Sequence, residues 1–241
     1  MARFYCDSII EGQVQLEPDQ SHHLANVLRL EPGQPVVLFD GKGTLAQAVI
    51  TDIKRKAVML EVEDIRTEPA RMAGRVVIAV SIAKGQRFDW VITKCTELGV
   101  DHIAAVAFER TVKLAKGPSI LDRYNKLALA ATKQCGRVFL PKITGPCDLS
   151  EILLSLKKDY PEAHLVFGTL NPDAKRICKL PTSDEDIIAF VGPEGGLTGE
   201  EESLLKAAGA RKVQLTDTTL RIETAAFAFA AILCANRDAA E

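Results

Sequence analysis

The sequence predicts a small β-rich domain over residues 1–70 followed by a larger α/β domain over residues 71–241. Three observations predict it. The first 70 residues hold short apolar runs closed by glycine-rich or charged turns, the pattern of a small barrel. Residues 66–75, RTEPARMAGR, are polar and contain Pro69 and Gly74, which makes them a linker. Beyond them, unbroken apolar runs alternate with stretches of helical periodicity, and that alternation implies a mostly parallel sheet.

Val36-Val37-Leu38-Phe39 is a short strand ended by the glycine turn Asp40-Gly41-Lys42-Gly43. Thr44–Ile53 alternates imperfectly. Lys54-Arg55-Lys56 then turns the chain into a further strand over Ala57–Val62. One helix interrupts this domain. Asp19 or Ser21 can cap it, and Leu24, Val27 and Leu28 form its apolar side. After the linker, Val76–Val80 is apolar throughout, as in a strand covered on both faces. Phe88, Val91, Ile92, Cys95 and Leu98 recur at helical spacing, and Gly99 ends the segment. His102–Phe108 reads as a strand. Ser119 can open a helix carrying Leu121, Tyr124, Leu127, Ala128 and Ala131. His164–Phe167 and Ile187–Val191 are two more strands of the buried type. A helix between Thr198 and Gly209, a short strand at Val213 and Leu215, and a helix over about Thr224–Asn236 complete the chain.

With 241 residues, 47% hydrophobic and 26% charged, the composition is that of a globular protein and excludes fibrous repeats and disorder. No uncharged apolar run approaches the roughly 18 residues of a membrane span. The segment Met1–Ile10 has no apolar core of a secretory signal, so the expected compartment is the cytoplasm. The six cysteines are scattered without C-x-x-C spacing and read as reduced thiols, and the four histidines supply no paired ligands, so no metal is expected.

The net charge of −2 hides an asymmetry. Residues 1–70 carry 7 basic and 11 acidic side chains, residues 71–150 carry 13 and 6, and residues 151–241 carry 10 and 15. Between Arg110 and Lys142 eight basic residues meet one acid, Asp122. A basic stretch inside an acidic chain suits a phosphate backbone. Lys113, Lys116, Lys126 and Lys133 lie in it, and Arg3, Arg29 and Lys54-Arg55-Lys56 supply cations in the β-rich domain.

Three strand-end loops carry the candidate chemistry. Gly192-Pro193-Glu194-Gly195-Gly196 follows the strand ending at Val191 and precedes a helix that Thr198 can cap, with Glu201 completing a capping box. Glycines there let backbone approach a ligand, at the strand end where open α/β sheets bind ligands; they also serve in a plain turn with positive φ. The turn lacks the G-K-[ST] ending of a P-loop. Leu220-Arg221-Ile222-Glu223-Thr224-Ala225 opens an almost wholly apolar helix, where charged Arg221 and Glu223 either face a site or act as ordinary cap residues. Phe167-Gly168-Thr169-Leu170 is the third loop. Lys133-Gln134-Cys135-Gly136-Arg137 reads as a helix end within the basic stretch.

VGPEGGLTGEE at 191–201 and LRIETA at 220–225, with GQRFDWVITKCTELGV at 85–100 and HHLANVLRLEPGQPVVLFDGKG at 22–43, resemble the ribosomal RNA small-subunit methyltransferase E family, uridine-N3 methyltransferases of the SPOUT superfamily. The resemblance spans almost the whole chain. It implies a PUA-like RNA-binding β-barrel over 1–70 and a SPOUT methyltransferase domain with a deep trefoil knot over 71–241. It also implies S-adenosylmethionine as cofactor without a metal, 16S ribosomal RNA in the assembled small subunit as substrate, and a homodimer. The cofactor residues it implies are Phe167, Gly168 and Thr169, Val191, Gly192, Pro193, Glu194, Gly195 and Gly196, and Leu215, Leu220, Arg221, Glu223, Thr224 and Ala225. Arg221 and Arg137 are the candidate catalytic cations, and Arg3, Arg29, Lys113, Lys116, Lys126 and Lys133 the candidate RNA contacts. Thr216 and Thr218 stand where the family has glycine and arginine, and Lys133 where it has glutamate. A ribose 2′-O-methyltransferase of the same superfamily and a non-catalytic RNA-binding protein are the alternatives.

Overall fold

Period-two alternation in the first 70 residues produces five strands around one apolar core, β1 (Arg3–Tyr5), β2 (Gly12–Gln15), β3 (Pro35–Phe39), β4 (Thr44–Lys54) and β5 (Ala57–Thr67), with the helix α1 (Pro18–His22) after β2. The computed structural model describes residues 1–54, 57–111, 119–179 and 184–239. They fall into two units, Met1–Ala70 with Leu129–Leu140, and Arg71–Ala128 with Pro141–Glu241.

In the smaller, PUA-like unit the sheet order is β1-β3-β4-β5-β2, antiparallel except for the parallel β1–β3 pair. Two register shifts in the β4–β5 ladder bend the long strands over Phe4, Leu24, Leu38, Ile50 and Leu60. Helix α1 is started by Pro18 without a side-chain cap, and it runs on as a π turn over His23–Val27. Ser21 does not cap it. Its buried hydroxyl donates to the Leu16 carbonyl at 3.0 Å and accepts from the Val58 amide at 3.1 Å, tying the helix to two segments of the sheet. Of the expected apolar side only Leu24 is buried, while Val27 and Leu28 face solvent. Residues 129–140 join this unit through the Leu140 amide, which donates to the Gly41 carbonyl at 2.9 Å. Gly43 has φ +115°, and a Cβ there would sit 2.7 Å from the Phe139 ring, so this turn requires glycine.

The larger unit is built on a parallel sheet. Its elements are β6 (Val76–Ser81), α2 (Gln86–Glu97), β7 (His102–Ala107), α3 (Ser119–Cys135), β8 (Lys142–Asp148), α4 (Leu149–Asp159), β9 (His164–Gly168), β10 (Lys175–Arg176), β11 (Ile187–Val191), α5 (Gly199–Ala207), β12 (Arg211–Gln214) and α6 (Ile222–Asp238). The order is β10-β12-β9-β11-β6-β7-β8, and every ladder is parallel. Every residue of β6 is buried, as its unbroken apolar run requires. One face packs on Phe88, Val91 and Ile92 of α2, Tyr124 of α3 and Ala226, Phe229 and Leu233 of α6. The other packs on Leu149, Ile152 and Leu156 of α4 and Leu205 of α5. This is the SPOUT α/β fold. The last helix begins at Ile222 rather than Thr224, and β12 ends at Gln214, which leaves Leu215 in the loop.

At the amino ends of these strands His102 is fully buried, with Nδ1 3.1 Å from the Tyr160 hydroxyl and Nε2 2.8 Å from Thr144 Oγ1. Burial, with a smaller push from Lys142 against a pull from Asp159, lowers its pKa to about 4. An unfolded histidine takes up its proton near pH 6.5, so the unfolded chain binds it first as the pH falls. The stabilising effect of a neutral His102 is therefore complete above about pH 6.5 and is lost as the pH approaches 4. Between pH 7 and 5 this costs on the order of 2 kcal/mol of folding free energy. Denaturant unfolding at the two pH values measures it, and His102→Gln is expected to show a smaller loss over that interval.

Candidate active site

Three adjacent parallel strands, β12, β9 and β11, end on the same side, and the loops that follow them enclose a cavity of about 310 Å³. Its position follows from the sheet. Strands buried on both faces leave backbone and polar side chains free only where the ladder stops.

The loop after β9 contributes Gly168, Thr169 and Leu170. Phe167 is fully buried and packs in the core instead of lining the cavity. Gly168 is small for a packing reason, since a Cβ there would lie 3.3 Å from the Phe229 ring, which forms the cavity wall. The loop is shaped by its own side chains. Thr169 Oγ1 accepts from the Asn171 amide at 3.2 Å, and Asn171 Oδ1 from the Asp173 amide at 2.9 Å.

The loop after β11 contributes Val191, Gly192, Pro193, Glu194, Gly196 and Leu197. The Gly196 amide donates to the Pro193 carbonyl at 2.9 Å and closes the turn, with Gly196 at φ +72°. Gly192 has Leu197 against it, so a Cβ there would lie 2.9 Å from Leu197 Cδ2. Gly195 does not line the cavity; its carbonyl accepts from Arg110 Nη1 at 2.6 Å. The expected capping box is present. Thr198 Oγ1 accepts from the Glu201 amide at 3.3 Å, and Glu201 Oε2 from the Thr198 amide at 2.8 Å. Glu201 Oε1 also accepts from the Glu109 amide at 2.8 Å and so ties α5 to the segment after β7.

The loop after β12 contributes Leu215, Thr216, Thr218, Thr219 and Leu220, and α6 contributes Ile222, Ala225 and Phe229. Thr216 Oγ1 donates to the Thr218 carbonyl at 2.9 Å. Asp217 accepts from Arg176 at 2.6 Å and from Gln214 at 3.3 Å. The two threonines that depart from the family pattern thus brace the loop internally. Arg221 is the N-cap residue of α6, between the lining residues Leu220 and Ile222, and does not itself line the cavity; its carbonyl accepts from the Ala225 amide at 2.9 Å, while its exposed side chain has no hydrogen bond or ion pair among the described residues. Glu223 is buried behind the wall, and Thr224 is exposed; neither lines the cavity.

The walls are mainly apolar, from Val191, Leu197, Leu215, Leu220, Ile222 and Phe229, with hydroxyls from the threonines and carboxylates from Glu194 and Glu202. Lys212 at 2.8 Å, then burial acting the other way, then Lys206 at 3.2 Å together hold the Glu202 carboxyl below its usual range. Such a cavity suits a mid-sized ligand with a flat apolar part and a polar end. Leu197 and Glu202 were missed by the sequence reading. Phe229 was missed too, although with Ile222 and Ala225 it follows the i, i+3, i+7 spacing of one helix face.

The other candidates are dispersed. Arg137 belongs to the smaller unit, where its carbonyl accepts from Arg3 Nη2 at 2.9 Å. Arg3 also lies over the Phe39 ring at 5.1 Å. Lys133 is half-buried, donating to Gln20 Oε1 at 2.9 Å and lying 5.6 Å from the Phe4 ring centre. Burial holds both cations below their usual pKa. Lys126 and Arg29 are exposed, Arg29 at φ +53°. Lys113, Lys116, Arg55 and Lys56 lie outside the described residues. Among the described residues no group of three or more His, Cys, Asp and Glu could hold a metal ion, and no helix is long and apolar enough to cross a membrane.

Residues 70–234 match the RNA methyltransferase domain family, and residues 16–63 match the RNA methyltransferase PUA domain. Together with the parallel sheet and its strand-end cavity, these matches define an RNA methyltransferase of the SPOUT class that carries a PUA domain. A relative from Synechocystis, described as ribosomal RNA small subunit methyltransferase E, is 31% identical over 91% of this chain and 72% of its own length. The Bacillus subtilis protein of the same description is 27% identical, with 93% of each chain covered. The crystal structure of ribosomal RNA small subunit methyltransferase E from Neisseria gonorrhoeae, bound to S-adenosylmethionine, superposes with a TM-score of 0.86 at 30% identity, over 96% of this chain and 95% of that one. A putative methyltransferase from Legionella pneumophila in complex with the same cofactor gives a TM-score of 0.86 at 28% identity, covering 97% and 96%. The chain belongs to the ribosomal RNA small subunit methyltransferase E family.

Proposed function

We propose that this protein methylates the N3 position of a uridine in 16S ribosomal RNA, using S-adenosylmethionine, on the assembled small subunit and as a cytoplasmic homodimer. The smaller unit, with the 1–70 segment at its centre, holds RNA, and the 71–241 segment carries the chemistry. The observation that carries the reading is the convergence of three strand-end loops on one cavity, with the exposed side chain of Arg221 unpaired among the described residues beside it, between the lining residues Leu220 and Ile222.

The residues present fit the cofactor. The apolar walls and the glycine-bearing loop suit a nucleoside, and Thr169, Glu194, Thr216 and Thr218 offer partners to its polar parts. When bound, the cofactor supplies a methyl group already activated on a sulfonium, so the protein's work is alignment and charge placement. Uracil N3 carries a proton at neutral pH and becomes a nucleophile only on losing it. Arg221, whose side chain has no partner among the described residues, would stabilise the resulting anion by charge placed beside the site. Arg137 is the second candidate cation.

Gly192→Val is expected to push Leu197 into the cavity and to weaken S-adenosylmethionine binding at least tenfold by calorimetric titration. Unchanged affinity in a folded variant would displace the cofactor from this cavity. Arg221→Ala is expected to keep RNA affinity and to lose about 100-fold or more in methyl transfer, the scale of one electrostatic donor. Mapping methylated nucleotides in 16S ribosomal RNA treated with each variant reads both the loss and the position.

RNA attachment is expected to rest on localised charge, because the whole chain is slightly acidic. Lys126, exposed on α3, Lys113 and Lys116 are the positions to test. Replacement of Lys126 by alanine is expected to flatten the slope of log affinity against log salt by about 0.7 to 0.9, equally for cognate and non-cognate RNA. A wild-type slope in all three alanine variants would move the RNA path off the basic stretch.

A further inference from the structure

Glu223 is a buried charged group of the larger unit. The residue is 5% exposed, and its Oε2 has no hydrogen-bond partner among the described residues. A carboxylate held out of water in this way needs a cation close by. That cation is Arg87, in the first turn of α2, with Nε 3.8 Å from Glu223 Oε1. The same guanidinium places Nη1 3.6 Å from Glu194 Oε1. Glu194 lines the cavity from the loop after β11, and Glu223 follows Ile222, which lines it from α6. Arg87 itself does not line the cavity. One side chain standing outside the site therefore bridges two of its walls.

We infer that Arg87 is a positioning residue of the cofactor site, setting the loop at 192–196 against the head of α6. The inference rests on the reading of the cavity as the S-adenosylmethionine site. The guanidinium suits the task because its nitrogens point in different directions and can face two carboxylates at once, which the point charge of a lysine cannot. Within the loop, the Gly196 amide to Pro193 carbonyl bond closes the turn but ties it to no other element. Gly195 and Gly196 have no side chains, and the hold from the other side is Arg110 on the Gly195 carbonyl. Both Arg87 contacts are longer than hydrogen bonds, so the tie is one of charge and geometry. Losing it does two separable things: it leaves the Glu223 charge buried and unpaired, and it releases Glu194.

Three variants separate the two effects, with thermal midpoint measured on the protein alone and S-adenosylmethionine affinity by calorimetry. Arg87→Gln is expected to lower the midpoint and to weaken the cofactor about tenfold, the loss of one contact of moderate strength. In R87Q/E223Q the buried charge is gone, so the midpoint returns towards wild type while the weak binding persists, because Glu194 is still untied. Arg87→Lys restores the charge without the span and is expected to recover the midpoint more fully than the affinity. Wild-type affinity in R87Q/E223Q, or affinity that follows the midpoint through all three variants, overturns the inference and reduces Arg87 to a neutraliser of Glu223. Absence of cofactor binding in the wild-type protein removes the reading of the cavity, and this inference with it.

Discussion

Burial of the parallel sheet on both faces is the constraint from which the rest of the larger unit follows. Strands such as β6, without one exposed residue, have no side on which to present a polar group. Ligand contacts and charge must then collect where the ladders end. The loops after β9, β11 and β12 do this on neighbouring strands, and the cavity between them is a product of strand order as much as of loop sequence. The same constraint acts at the opposite end. There His102 is kept neutral by burial, and Arg75 meets Asp186 with Nη2 2.5 Å from Oδ2 while lying 4.4 Å from the Tyr160 ring centre. Polar side chains at that end are spent on one another and hold the sheet closed.

Charge in the smaller unit shows why a count of basic residues is a poor map of an RNA surface. Arg3 and Lys133 are two of the cations that the sequence suggests for phosphate contact. In the fold, Arg3 reaches the Arg137 carbonyl and Lys133 reaches Gln20, and aromatic rings lie beneath both. Each therefore links the 129–140 segment to the strands and helix of the unit, and burial lowers the pKa of each. A long cationic side chain can cover apolar surface with its stem and satisfy a carbonyl with its head. Composition cannot distinguish that use from a solvated one.

Much of the architecture was legible because it follows from periodicity. The buried strands at 76–80, 164–167 and 187–191, the helix after Gly85 and the Thr198–Glu201 capping box all appear where the residues put them. The strand β8 and the helix α4 were not legible. Gly145-Pro146 interrupts the apolar pattern of β8, and proline is tolerated there because the strand is at the sheet edge, a fact of topology and not of local sequence. The glycine loop at 192–196 was recognised, yet the role of its second glycine was not. Gly195 turns its carbonyl towards Arg110, 85 residues away in the chain, and no spacing rule links the two. Glu223 posed the reverse problem: its cost was visible in an apolar helix, but its partner Arg87 lies 136 positions earlier and only the fold brings them together.

The two threonines at 216 and 218 show how short polar side chains can hold a site loop. Glycine lends a loop freedom and arginine lends it a long donor; Thr216 and Thr218 offer neither. The loop instead closes on itself through the hydrogen bond from Thr216 Oγ1 to the Thr218 carbonyl, and Asp217 reaches Arg176 on β10 and Gln214 on β12. The exposed Asp217–Arg176 pair contributes little energy by itself. Its value lies in direction, since it draws the loop towards the strand that borders β12. Leu215 and Leu220 remain on the cavity wall at either end of the threonine run. The loop is held by short side chains from within and by one pair to its neighbouring strand, with its apolar flanks facing the cavity. In this chain the two positions that depart from the family pattern support the loop, and the α6 wall follows directly after it.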